Sequence, residues 1–340
     1  MTTSKNVLKK VSMAVLAAGI AVVAHASSAS ALSNYWIGSG DGQNWSSAPN
    51  WSLGRAPATS DVLVFNSAAS TEDSMVVYND QANLRLNGLT FTGGSANGYL
   101  SYGETIQMAG EIRDQNDGES INYLGNNVLA KGTVKVATVN NALLLTEGKY
   151  TIGNYPLYFR SYHESINYFG GIVVGTTGSV YVVGDTSGRT TFADGSQILR
   201  PTIVKDKGYL TTGDTKMSNL TVTASGYFEP DHCLATRNLR VEGYHYVAIV
   251  GAPACANYGR VNVMGTVNVT NGKLMVTDAL DSGYTPAKGA RYVLVANDGT
   301  DKVTGLYKNR PEGSTFKIGS LTFKITYKGG TGNDIIITRL

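Results

Sequence analysis

The sequence predicts an all-β chain wound as a parallel β-helix, and three observations predict it: a long internal echo, a procession of short alternating segments, and the spacing of two cysteines. The string Glu119-Ser120-Ile121-Asn122-Tyr123-Leu124-Gly125 returns 45 residues on as Glu164-Ser165-Ile166-Asn167-Tyr168-Phe169-Gly170. Gly132-Thr133-Val134-Lys135-Val136 is answered 46 residues on by Gly178-Ser179-Val180-Tyr181-Val182, so one residue has slipped, and slips belong in loops. Self-similarity at a fixed period means one unit stacked on itself, because a single short set of strands cannot bury its own apolar face.

Between residues 75 and 276 the chain runs through segments such as Met75-Val76-Val77-Tyr78, Leu143-Leu144-Leu145, Leu220-Thr221-Val222 and Val261-Asn262-Val263, with Gly, Asn or Asp between them. They are rich in β-branched, aromatic or aliphatic residues, and none continues with a helical period. Beyond the N-terminus no segment holds the ten or more residues of 3.6 period that a crossover helix needs, which argues against a doubly wound fold. Sandwiches or barrels built from hairpins are the all-β alternative. The echo favours the solenoid, since 45 is close to two turns of about 22 residues.

Cys233 and Cys255 are separated by that same turn length, so in coils of constant length they lie one above the other. Stacked coils are about 4.8 Å apart, and a disulfide needs Cα atoms about 4.4 to 6.8 Å apart. A bridge is the simplest use of two cysteines in an exported protein. Against a metal site, only His232 is a nearby soft ligand, and there is no CxxC to complete a tetrahedral set.

Composition agrees with tight turns and exported surfaces. Charged residues are 16% of the chain and Gly is 40 of 340, against about 25% and about 7% in an average domain. The formal charge of +3 comes from Lys5, Lys9 and Lys10; the remaining 25 basic side chains balance 25 acidic ones. A neutral mature chain offers no general field for nucleic acid or an anionic membrane.

Residues 1–31 read as a signal peptide: Lys9-Lys10, twelve apolar residues over 13–24, then Ala29-Ser30-Ala31 as a cleavage site. Twelve apolar residues are short of the roughly 20 that span a bilayer. The expectation is a mature chain of residues 32–340, secreted to the cell surface or beyond, with no membrane insertion after cleavage.

Residues 32–65 form an expected N-terminal cap. They hold all three tryptophans, Trp36, Trp45 and Trp51, and large rings of that kind close the open end of a stacked core. Residues 66–287 are the β-helix body. Residues 288–340 change character, with an Asn297-Asp298-Gly299 turn, Pro311-Glu312-Gly313, and Phe323-Lys324-Ile325-Thr326-Tyr327 leading through Gly329-Gly330-Thr331-Gly332-Asn333 to Asp334-Ile335-Ile336-Ile337. That is the pattern of an antiparallel hairpin cap. Gly329 to Ile337 also matches the calcium nonapeptide, but a single copy has no second turn with which to hold the ion, and no metal is expected.

Three features taken together, the Trp36, Trp45, Asn50-Trp51-Ser52, Pro57, Asp61 opening, the Gly-rich repeat body and the Gly329-Gly330-Thr331-Gly332-Asn333-Asp334 ending, resemble the passenger domains of bacterial autotransporter-type and β-strand-repeat secreted surface proteins. The resemblance implies a right-handed parallel β-helix outside the cell, serving adhesion or surface architecture without a cofactor. Such autotransporters continue into a membrane barrel, whereas this sequence ends at Leu340 without an LPxTG-like signal. The expectation is non-covalent attachment or release.

Enzymatic chemistry has thin support. Glycoside hydrolysis needs two carboxylates about 5 to 9.5 Å apart; the pairs Asp114 with Asp117, Glu229 with Asp231 and Asp278 with Asp281 all lie in turn-like sequence, where carboxylates are solvated or cap amides. There is no GxSxG, and Asp231-His232 reads as loop. What is abundant is Tyr, 20 in all. Tyr123 and Tyr168 recur in the repeat and Tyr181 follows, so a tyrosine ladder along one face is the candidate binding surface, with Trp36 and Trp51 as a further aromatic platform for sugars. The partners expected are glycans or surface proteins of other cells, with self-association into a filament or coat as an alternative, and no nucleic acid.

Overall fold

The computed structural model describes residues 31–66, 74–93, 98–116, 121–277 and 283–340. The chain is an all-β parallel solenoid. Among the described residues the one helical element is a 3₁₀ turn at Ala48–Asn50, and no helix is long and apolar enough to cross a membrane. The signal peptide reading and the pairs containing Asp117, Asp278 or Asp281 lie outside the described residues.

One coil shows how the winding works. Leu143–Thr146 belongs to a ten-stranded sheet; the chain then gives Lys149–Thr151 and Leu157–Ser161 to a second, 20-stranded sheet. It returns at Ile166–Phe169, which pairs in parallel with Leu143–Thr146. The ten-stranded sheet has its strands in reverse chain order from Lys273–Thr277 back to Ser74–Asn79, each beside its sequence neighbour one coil away.

Alternation along each strand decides what is buried. In Ile121–Leu124, Ile121 and Tyr123 point out while Asn122 and Leu124 point in. The same in-out order repeats at Ile166–Phe169, where Asn167 and Phe169 are inside. The inward asparagines satisfy backbone groups that the winding leaves open: Asn122 Oδ1 accepts from Tyr99 N at 3.0 Å, and Asn167 Nδ2 donates to Arg160 O at 2.8 Å. A buried amide without such partners costs about 1–3 kcal/mol, which accounts for Asn recurring in the echo.

The echo spans two coils. Leu143 pairs with Ile121 on one side and Ile166 on the other, so the two coils differ in length by a single residue. The slipped residue sits in a loop, because 153–156 does the work that 131–133 does one coil earlier. Two coils per repeat has a consequence for the tyrosines: Leu145 lies between Tyr123 and Tyr168, so those two do not stack on each other.

Coil length is not constant. Among the described parallel strand pairings, isolated bridges aside, it is shortest where Tyr227 meets Tyr244 and longest where Val261 meets Val295. Cys233 pairs with Arg260, well past Cys255 in the chain. The expected vertical alignment of Cys233 with Cys255 is therefore incorrect, although the disulfide itself forms, with Cα atoms 4.8 Å apart. Cys255 reaches it from the loop between Tyr244–Ala248 and Arg260–Val263, in a left-handed backbone conformation with φ 68°.

Aromatic rings fill the core in clusters. At the N-terminal end Trp36, Trp45 and Trp51 surround Phe65 at centroid distances of 5.6 to 5.7 Å, and Trp51 Nε1 donates to Trp45 O at 2.8 Å. Phe159, Phe169 and Phe192 interlock farther along at 5.4 to 6.1 Å. Near the other end the strand sense changes. Arg291–Asn297 is parallel to Arg260–Val263 but antiparallel to Asp334–Arg339, which is in turn antiparallel to Leu321–Gly329.

Candidate interaction surface

The outer face of the ten-stranded sheet is built by register. Ile121, Leu143 and Ile166 follow one another up one column; Arg189 comes next, then Tyr209, Tyr227, Tyr244 and Lys273. The neighbouring column on the same face carries Leu100, Tyr123, Leu145 and Tyr168, then Thr191, Thr211 and Glu229. Ile121 is 52% exposed and Met275, farther along this face, 42%.

Tyr209, Tyr227 and Tyr244 stack as near-parallel plates. Centroids are 5.8 and 4.7 Å apart and the interplanar angles are 4° and 5°. The Arg189 guanidinium covers the Tyr209 ring at 4.8 Å, and Lys273 Nζ stands 4.0 Å from the centroid of Tyr244. Cations favour the negative faces of aromatic rings, so both ends of the stack are closed. Ring edges and hydroxyls, rather than ring faces, are what this column presents.

Two of the hydroxyls are tied down. Tyr209 donates to Glu229 Oε2 at 2.5 Å and Tyr123 to Glu147 Oε2 at 2.7 Å. Burial, and then the carboxylate that accepts the proton, push each phenol above the ordinary tyrosine range.

The five aromatic residues singled out from the sequence do not form one site. Tyr123 and Tyr168 share the ten-stranded face. Tyr181 lies in the other sheet, stacked on Tyr158 at 4.8 Å with Lys205 Nζ 5.4 Å from its ring. Trp36 and Trp51 are 2% and 1% exposed, packed on Phe65 and on each other. They present no ring face to a sugar, because the end of the core claims both. Of the stacked column, the sequence offers Tyr227 and Tyr244 only as members of a general run of middle-coil tyrosines, and Tyr209 not at all; the signal for their alignment is a regular spacing, tighter than the turn inferred from the echo and readable only once the coil is known to shorten there.

The carboxylate pairs also sit differently from their turn-like reading. Asp114 ends the strand Ile106–Asp114 and is fully buried; it accepts from Asn122 Nδ2 at 2.9 Å and Asn116 N at 3.1 Å. Burial outweighs those bonds and pushes its carboxyl up to about 7. Glu229 lies within the strand Tyr227–Pro230, and burial, then Glu229, push the Asp231 carboxyl up. Five surface clefts of about 270 to 440 Å³ are lined by at most one carboxylate each, so none of these five brings an acid and base pair together.

One cluster of the kind that holds divalent cations does arise from register. Asp194, Asp214 and His232, brought together from successive coils, offer ligand atoms within 4.8 Å of one another. Asp194 Oδ1 accepts from Asp214 N at 2.7 Å and lies 3.0 Å from His232 Nδ1; Asp214 Oδ1 accepts from Cys233 N at 2.9 Å. The Asp214 amide, then His232, hold Asp194 below the carboxylate range, and Asp194 raises the imidazole. These atoms already fasten the corner beside the disulfide.

The Gly329-to-Ile337 segment joins two antiparallel strands, with Gly329 opposite Asp334. Asp334 Oδ1 accepts from Asn297 N at 2.9 Å, and Asn333 Nδ2 donates to Asp298 O at 2.9 Å. Those contacts give the letters of the nonapeptide a place in a turn. Comparison with family models, with curated proteins and with solved structures gives no match to this chain.

Proposed function

We propose that the chain is an exported, non-enzymatic β-solenoid that acts in adhesion or as a cell-surface interaction module, and that it works through the outer face of its ten-stranded sheet. The observation that carries this reading is the contiguous run of outward Ile121, Leu143, Ile166, Leu145 and Tyr168 on adjoining rungs. Outward apolar side chains gathered on one face, rather than scattered singly, mark interaction surfaces in soluble proteins. The disulfide suits an oxidising compartment, and the signal-like N-terminus and the passenger-domain resemblance point the same way.

The test compares the folded protein with an Ile121→Ser, Ile166→Ser, Tyr168→Ser variant in whole-cell binding and on a glycan array, with sizing of both. Binding by the parent that the triple variant loses, at unchanged secondary structure, supports the reading. Equal binding by both, or none by the parent, overturns it. Discrete oligomers that the variant abolishes point instead to self-assembly through the same face.

A further inference from the structure

At the Lys273 end of the tyrosine column the outer face runs into a cleft of about 300 Å³ lined by Lys273, Leu274, Met275, Lys308, Asn309 and Arg310. Three cations share it and no carboxylate lines it. None of the three is in an ion pair among the described residues.

The cations are held in place by the fold. Lys308 N donates to Gly272 O at 2.7 Å, which docks its segment beside the strand that carries Lys273. Lys273 is fixed over Tyr244. Arg310 lays its guanidinium 4.6 Å from the centre of the Phe316 ring, donates from Nη1 to Asn309 O at 3.1 Å, and keeps a buried Nε with no partner. Its backbone is anchored twice, N donating to Tyr307 O at 3.0 Å and O accepting from Tyr327 OH at 2.8 Å. Like charges gathered in one concave place without counter-charges concentrate anions there.

We propose that this cleft binds the anionic groups, carboxylate or sulfate, of an acidic polysaccharide whose chain continues along the hydroxyl edges of Tyr244 and Tyr227. The polysaccharide is favoured by how the tyrosines are arranged. Their ring faces are consumed by stacking on one another, so a neutral sugar, which would bind through a ring face, finds no platform, and neither do the bases of a single-stranded nucleic acid. A line of hydroxyl edges leading to three cations fits a hydroxyl-rich polymer that carries negative charge. Arg310 adds the forked donor geometry that matches a carboxylate or sulfate. The inference rests on the outer face being the working surface and names the class of ligand one end of it takes.

The experiment measures binding of the full protein to immobilised polygalacturonate, dextran sulfate, neutral dextran and poly-L-glutamate, at low and at high salt. Lys308→Gln, Arg310→Gln and the double variant are compared with Lys131→Gln, a cation outside this cleft. The expected result is salt-sensitive binding to one or both acidic polysaccharides, none to dextran, and a loss of about tenfold in the double variant. The two acidic arms tell carboxylate from sulfate. Because Arg310 also packs on Phe316, Lys308→Gln alone must weaken binding in a protein of parental melting temperature.

Equal binding of dextran, equal loss in Lys131→Gln, or no polyanion binding by the parent overturns the proposal. Preference for poly-L-glutamate over both polysaccharides replaces it with an acidic peptide. A protein that binds cells through the ten-stranded face but no polyanion loses the cleft alone; one that binds polyanions but no cells loses the wider reading.

Discussion

Cys233 is bonded to Cys255, yet the residue one coil above it is Arg260. The bridge therefore ties an inserted loop down to a strand, and the parallel pairing of Cys233–Val241 with Arg260–Val263 stands without it. Breaking it with Cys233→Ala and Cys255→Ala together should lower stability by about 3 kcal/mol, the loop-closure value for a segment of this length. The far-ultraviolet spectrum of the folded variant should match the parent. Urea melts of the two, with and without reductant, check this, and reductant should lower only the parent.

His245 is the buried imidazole of the ten-stranded sheet, stacked on Phe228 at 5.4 Å with Nδ1 2.7 Å from Tyr307 Oη. Burial lowers its pKa from 6.5 to about 4. The unfolded chain takes up that proton below 6.5 and the folded chain does not, so this contribution to stability is complete above pH 6.5 and lost as pH falls toward 4. In His245→Phe the slope should be missing. The difference between the two stability curves should change by on the order of 3 kcal/mol across that window; parallel curves would remove this account of His245.

Gly110 sits opposite the register shift between Leu86 and Gly88 of the neighbouring coil. A Cβ there would stand 1.7 Å from Asn87 O, and a backbone carbonyl does not rotate out of the way. Gly110→Ala should cost about 1–3 kcal/mol. Gly54→Ala, where nothing lies within 4 Å of the added carbon but φ is +63°, should cost less than that, about 1 kcal/mol. Thermal melts of the two variants side by side decide whether crowding or backbone conformation sets the order.

Phe169 is fully buried against Phe159, Phe192 and Tyr150. Phe169→Ala removes the ring that three neighbours share and should cost about 3–5 kcal/mol. Tyr168→Ala, next to it but outward, should cost well under half as much. A similar cost at both positions would mean that the in-out alternation of this strand is misassigned.

What the sequence made legible was periodic. The echo is two coils, and the alternation of Ile121, Asn122, Tyr123 and Leu124 states which side chains face the core. The cysteine pair was found through an assumption of constant coil length that fails at that place, where the rung above Cys233 is not reached until Arg260; the loop supplied the reach that register was expected to supply. Variation of coil length also hid what register brings together later. Tyr209, Tyr227 and Tyr244 align only because the coil tightens there, and the same tightening gathers Asp194, Asp214 and His232. Lys308 and Arg310 come to Lys273 through an irregular segment with no period to announce it. Trp36 and Trp51 were visible as a cluster, but whether their faces were covered depended on Phe65, a residue of another strand.

Both the interaction face and the cleft depend on which rungs are neighbours. Oxidative cross-linking of paired cysteines tests that directly. Leu145→Cys with Tyr168→Cys places sulfurs on adjacent strands, about 4.8 Å apart at the backbone, within reach of a disulfide; Tyr123→Cys with Tyr168→Cys places them two strands apart. The first pair should close under mild oxidant and the second should stay open, read as mobility on a non-reducing gel; closure of the second pair with the first left open would contradict the winding from which the surface is built.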